Sequence, residues 1–198
     1  MIPPRRLHRG AGAVLAAFLL VHVANHLAAL AGVEAHVRFM DAARRVYRQP
    51  VVECVLLLCA AVQVASGLAL AWAGRRRRGV LARAQVASGA YLALFLAIHV
   101  GAVLAGRVAG LDTNFHFAAA GLHVWPFVLF FGPYYFLAVA ALCVHVGCAL
   151  AWRVRARRVA VLGTASVAGV VLGSVIVACL VGVVRPVAIP PAYLATFR

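Results

Sequence analysis

"GAVLAAFLLVH" (Gly12–His22) and "GAYLALFLAIH" (Gly89–His99) agree at seven of eleven positions, and each runs from a glycine to a histidine ten residues later. Neither shows the alternation of a half-buried strand, and neither has the polar stripe of a helix on a water-soluble surface. Both lie inside longer uncharged runs. A hydrocarbon core is spanned by about 20 apolar residues, and five stretches qualify, at roughly 11–32, 51–73, 84–106, 125–152 and 159–184. Backbone groups in lipid must satisfy one another within the segment, so each stretch is predicted to be an α-helix. The expected fold is therefore all-α, an integral membrane bundle of five transmembrane helices formed as a single domain over residues 1–198. A hydrophobic content of 66% and a mean hydropathy of +1.00 exclude a water-soluble domain of this length, which would have too little polar surface to cover it.

The 19 basic residues are all arginine, against 4 acids. Such a balance suggests nucleic acid at first sight, but the placement of the charges argues for a membrane. Twelve arginines fall in three groups: Arg5, Arg6 and Arg9; Arg75 to Arg78 with Arg83; and Arg153, Arg155, Arg157 and Arg158. In a five-span chain these share one side, and the acids Glu34, Asp41, Glu53 and Asp112 fall on the other. By the positive-inside rule the N-terminus is cytoplasmic. The inner arginines then meet anionic headgroups of the bilayer, or dock an acidic soluble partner, and no nucleic-acid partner is expected. The opening residues imitate a signal peptide, but the apolar run is too long and holds two histidines, and its core recurs in span three. The five cysteines, Cys54, Cys59, Cys143, Cys148 and Cys179, lie within spans and read as small packing residues with no disulfide framework.

Spans one and three cross in the same direction, so an equal offset from one end means an equal depth. Ten residues rise about 15 Å, half of a hydrocarbon core, which sets His22 and His99 at one level near the midplane. An intramembrane ionisable residue is expected to face the bundle interior and to serve a site; the alternative is a neutral imidazole bonded across a helix interface. Two imidazoles at one depth on parallel helices suit a b-type haem, whose iron takes two axial nitrogens, and full axial ligation suits electron transfer. Zinc usually takes four ligands, and no such set converges. A second pair would need histidines on spans two and four. Span four has His145, but span two offers Gln63, which does not ordinarily ligate haem. "QVASG" occurs at Gln63–Gly67 and again at Gln85–Gly89, a short repeat of little weight in a chain so rich in Ala, Val and Gly.

"RRLHRGAGAVLAAFLLVHVANHLAALAG" (Arg5–Gly32) resembles the first span of the five-helix cytochrome b anchor of succinate:quinone oxidoreductases and quinol:fumarate reductases. The similarity continues through "GVEAHVRFMD" (Gly32–Asp41), Glu53, Gln63 and Gly67 of span two, and "QVASGAYLALFLAIHV" (Gln85–Val100). It ends with Asn114–Phe115, Pro126 and His145, while span five carries nothing diagnostic. The resemblance implies a succinate dehydrogenase or fumarate reductase type of anchor in a bacterial cytoplasmic membrane. Such a subunit binds haem and quinone and holds iron–sulfur and flavoprotein subunits on the cytoplasmic side. Carried over by position, His22 and His99 match one ligand pair and His145 matches half of another, with Gln63 where its partner would stand. One haem b is therefore expected, and the second lacks a ligand.

Other polar residues divide between site and surface. His26 and Asn25, one turn beyond His22, and Glu53 and His123 are candidates for a quinone site. His26 is also a candidate to replace His22. Arg38 and Arg107 are candidates for haem propionate contacts, since guanidinium binds carboxylate bidentately. The outer loop after span one holds His36 and Arg38. "LDTNFHFAAAGLHVWP" (Leu111–Pro126) reads as a short helix capped by Asp112 or Thr113. Trp125, Tyr134 and Tyr135 suit an aromatic interface belt. His116 and His123 are expected on the outer surface, and His8 at the cytoplasmic rim. No nucleotide motif, flavin site or iron–sulfur ligand set occurs, so catalysis on a soluble substrate would belong to another subunit. A haem-free membrane scaffold of the same fold is the alternative. A transporter is weaker still, because the repeat joins parallel spans.

Overall fold

The computed structural model describes residues 3–197. Five helices are long and apolar enough to cross a membrane: α1 (Pro4–Ala28, extended by a 3-10 turn to Ala31), α3 (Pro50–Gly74), α4 (Val80–Val108), α6 (Val128–Ala151) and α7 (Arg158–Val181). Three short helices lie outside them: α2 (Val33–Tyr47), α5 (Phe115–Ala119) and α8 (Pro191–Leu194). No strand occurs among the described residues. The five spans thus match the sequence expectation. Proline opens α1, α3 and α8, where its missing N–H is one the helix cannot use and its fixed φ is already helical. The arginine groups and the acids fall at opposite ends of the bundle, called here the arginine end and the acidic end.

The first outer segment differs from expectation. It is a helix, α2, rather than a loop. Gly32, at φ 119°, makes the reversal from α1 that a residue with a Cβ rarely adopts. Glu34 then occupies the first turn and Arg44 and Arg45 the last, which suits the helix dipole. The helix is amphipathic: His36 and Met40 are buried, four residues apart on one face. The short helix α5 also starts later than the sequence suggested. Asn114, not Asp112 or Thr113, caps it, accepting from the backbone N–H groups of His116 (2.9 Å) and Phe117. Asp112 is engaged elsewhere, by Arg44 at 2.7 Å.

Packing runs from α1 to α3, α3 to α4, α4 to α6 and α6 to α7. The α6–α7 seam is built on small residues. A Cβ on Gly147 would lie 2.4 Å from the Cβ of Ala165, and one on Gly169 would lie 3.0 Å from the Cα of Ala140. Close backbone approach of this kind drives association in lipid, where no hydrophobic force separates helix from solvent. Large apolar side chains such as Leu20, Leu58, Leu94, Leu129 and Val171 point outward, as a lipid-facing surface requires. No comparable seam joins α1 to α4 or α6. A cavity lies between them.

Candidate functional site

The cavity has a volume of about 1200 Å³ and is lined by six of the eight histidines: His8, His22, His26, His36, His99 and His145. It exceeds the roughly 300–1,000 Å³ of an ordinary small-molecule pocket. It runs from Arg5 and Arg9 at the arginine end to Arg48 and Thr113 at the acidic end. The bundle therefore turns these imidazoles inward, among apolar cavity walls that include Leu15, Leu57, Leu92 and Val139, as intramembrane ionisable residues require.

At mid-length the rings of His22 and His99, both on the cavity wall, lie edge to face, with centroids 6.1 Å apart and planes at 67°. Each ring is backed by the phenylalanine one turn earlier on its own helix. Phe18 stacks on His22 at 5.4 Å and 19°, and Phe95 stacks on His99 at 5.1 Å and 13°. Both phenylalanines occupy the seventh position of the eleven-residue repeat. The repeat thus encodes an i, i+4 aromatic pair that fixes each imidazole, and its two copies present those imidazoles to one another. Neither ring has a hydrogen-bond partner among the described residues. Both rings open onto the cavity.

The separation suits a metal held between two imidazoles. Two metal–nitrogen bonds of about 2 Å, plus roughly 1 Å from each nitrogen to its ring centre, give ring centres about 6 Å apart. Among the described residues no group of three or more His, Cys, Asp or Glu side chains converges as a metal site.

Toward the acidic end, His26 lies 4.8 Å from His22, ring to ring, and 5.4 Å from His36. Asn25 is buried and donates through Nδ2 to Nε2 of His36 at 3.3 Å. Asn25 Oδ1 and His36 Nδ1 are buried without partners among the described residues. Burial, the neighbouring His22 and the charge of Arg44 and His116 push the His36 pKa down to about 4, so its ring is neutral near pH 7. Glu53 pairs with Arg107, both partly exposed on the cavity rim. Asn25, His26, Glu53 and Arg107 thus line one end of the cavity together. Arg38 does not. Two residues from the buried His36, it is rotated about 200° around α2, and it pairs with Glu34 at 3.5 Å on the exposed face. His123 also lies off the cavity, with Nε2 2.9 Å from the carbonyl oxygen of Leu180. His116 is partly exposed: its Nδ1 is buried, its ring lies 5.9 Å from Tyr193, and burial lowers its pKa.

Of the expected aromatic belt, Trp125 is exposed, whereas Tyr134 is buried and ties α6 to α4. Tyr134 donates to the carbonyl of Phe95 at 3.3 Å, and Tyr91 donates to the carbonyl of Tyr134 at 2.9 Å. Tyr135 packs against the apolar core beneath α5.

At the arginine end, His145 faces neither Gln63 nor any other residue of α3 as its ring partner. It faces His8, at 6.2 Å between centroids and 74° between planes. No family model, curated protein or solved structure matches the chain. Its chemistry therefore has to be read from these side chains: two opposed imidazole pairs, apolar walls, a carboxylate–guanidinium pair and an arginine-lined mouth. His8 was the residue that the sequence left at the rim. The signal that would have found it is Pro4, which starts α1 two turns before the apolar run and so puts His8 on the spanning helix.

Proposed function

We propose that the chain is a b-type cytochrome subunit of a membrane oxidoreductase, with His22 and His99 as the axial ligands of one haem. The observation that carries this is the pair itself: two imidazoles 6.1 Å apart, each stacked on its own phenylalanine and neither hydrogen-bonded among the described residues. Haem b ligated by two imidazoles passes single electrons and keeps no open position for oxygen or substrate. The chain supplies the rest. Phe18 and Phe95 fix the ring planes, the apolar walls exclude water, and the small residues of the repeat leave room between α1 and α4.

The cavity beyond His22 supports a quinone site at the acidic end. Asn25 and His26 offer hydrogen-bonding groups there, and Glu53, held by Arg107, is a carboxylate placed to exchange protons with the surface. The arginine end is the cytoplasmic side by the positive-inside rule, in a bacterial cytoplasmic membrane. Iron–sulfur and flavoprotein partners of the succinate dehydrogenase or fumarate reductase type would dock there.

The test is the dithionite-reduced minus oxidised spectrum of the protein purified in mild detergent. The reading requires α and Soret bands that are lost in His22→Ala and in His99→Ala. A colourless wild-type protein, or bands that survive both substitutions, would leave the haem-free scaffold in its place.

A further inference from the structure

We propose that His8 and His145 form a second bis-imidazole haem site at the arginine end of the cavity, with α1 supplying a ligand to both sites. This rests on the cytochrome reading above and departs from the pattern that the resemblance implies, in which the partner of His145 would stand at Gln63 on α3.

Four features of the structure converge on the pair. The first is spacing. The ring centroids of His8 and His145 are 6.2 Å apart at 74°, against 6.1 Å at 67° for His22 and His99. Two pairs in one cavity share a separation of about 6 Å, the distance that a metal between two imidazole nitrogens sets.

The second is the orientation of the rings. His8 Nδ1 lies 3.0 Å from Ser66 Oγ, and His145 Nδ1 lies 3.3 Å from Ser88 Oγ. Each serine hydroxyl donates to a carbonyl of its own helix, Val62 for Ser66 and Gln85 for Ser88. Each hydroxyl oxygen is therefore left to accept, so both histidines carry their proton on Nδ1 and present the Nε2 lone pair. A ligating histidine whose other nitrogen is held in this way has its tautomer and ring plane fixed.

The third is the origin of that frame in sequence. Ser66 and Ser88 are the same position of the two "QVASG" copies, Gln63–Gly67 and Gln85–Gly89. The glycine that follows each serine makes room for the same ring. A Cβ on Gly67 would come 3.4 Å from His8 Cε1, and one on Gly89 would come 2.9 Å from His145 Cε1. A five-residue repeat on α3 and α4 thus builds two equivalent seats for two histidines on α1 and α6.

The fourth is charge. Arg5, Arg9, Arg77 and Arg153 line this end of the cavity, where no acid faces them, and guanidinium is the natural partner of the two propionates of a haem. Gln63 completes the setting. Its Nε2 lies 3.2 Å from His8 Nε2, and its Oε1 is buried without a partner among the described residues. It engages the nitrogen that would ligate, so it would have to turn aside when the site is filled, and it is not a ligand itself.

The experiment is haem stoichiometry by pyridine haemochrome on the full chain in detergent, followed by redox titration. Wild type is expected to hold two haems per chain with two titrating components. His8→Ala and His145→Ala should each hold one, and the survivor should be the component that His22→Ala removes. His8→Met keeps a ligand at the same place and should raise the midpoint potential of one component only, because thioether ligation favours the reduced iron; it decides the matter if the alanine variant fails to fold. One haem per chain in wild type, lost in His22→Ala or His99→Ala and indifferent to His8→Ala and His145→Ala, overturns this inference and leaves the proposed function standing. No haem in wild type overturns both. Loss of the second haem in Gln63→Ala but not in His8→Met or His8→Ala would also overturn the assignment of His8.

Discussion

Gly89→Ala tests the seat of His145 with a single methyl group. The added Cβ would lie 2.9 Å from His145 Cε1 and 3.3 Å from Nδ1, whereas carbon atoms rest at about 3.5 Å or more. The imidazole must retreat by roughly 0.6 Å, while a working ligand set tolerates displacements of about 0.5 Å. The Ser88–His145 contact is already 3.3 Å, at the long end of a hydrogen bond, and the retreat would break it. The steric cost is about 1–3 kcal/mol, offset by up to about 1 kcal/mol of helix propensity gained on replacing glycine. Gly101→Ala is the control on the same helix, because a Cβ there meets nothing within 4 Å. The expected result is that Gly89→Ala weakens haem binding at the His8–His145 site by about 10- to 100-fold, the usual cost of losing an outer-shell hydrogen bond. The other site and the Gly101→Ala protein should be unchanged. Haem stoichiometry and two-component redox titration read the first effect, and thermal unfolding in detergent the second. A Gly89→Ala protein with both components at wild-type potentials, and as stable as Gly101→Ala, would refute the packing argument.

Three further outcomes follow from the geometry. Phe95→Leu removes the ring stacked on His99, worth about 0.5–1.5 kcal/mol, so haem transfer to an apoglobin acceptor should quicken by about two- to twelvefold; an unchanged rate would deny the stack its positioning role. Glu53→Gln should slow haem oxidation by an added quinone by about 100-fold while leaving the absorption spectrum intact, and a wild-type rate would remove Glu53 from proton exchange. His36 stays neutral in the folded protein down to about pH 4, whereas in the unfolded chain it protonates from about pH 6.5. The unfolded state therefore binds the extra proton, and stability is lost as pH falls from 6.5 to 4, by at most about 3 kcal/mol, and not further below. Thermal midpoints of wild type and His36→Gln across that window should converge as the pH falls; parallel curves would contradict the burial of His36.

Much of this was legible in the residues. Five long apolar runs fix five helices because lipid offers the backbone no other partner. The matched offsets of His22 and His99 from Gly12 and Gly89 bring the two rings together. The second pair was hidden by two approximations. Hydropathy ends the first span at the last charged residue, yet α1 continues through Arg5, Arg6 and Arg9, whose long stems can run along the apolar surface while their heads reach water, and it carries His8 with it. Parity of spans also steers the search for the partner of His145 toward α3, a parallel helix, when the cavity separates α1 from α6 and lets an antiparallel helix supply it. Helix α2 was missed because fifteen residues rich in charge leave no hydropathy signal. Its inner face is marked by period alone, with Val33, His36, Val37, Met40 and Tyr47 at helical spacing, and with that face unassigned Arg38 reads as an inward residue.

Helix α1 contributes one imidazole to each pair, while the opposite imidazoles come from α4 and α6. Because a chain is synthesised from its N-terminus, the two pairs close at different moments of biogenesis. The middle pair is complete once the third span has entered the bilayer. The pair at the arginine end stays open until the fourth has joined it, so under the proposed reading cofactor loading would have a built-in order, and a nascent chain halted after α4 would carry only the first.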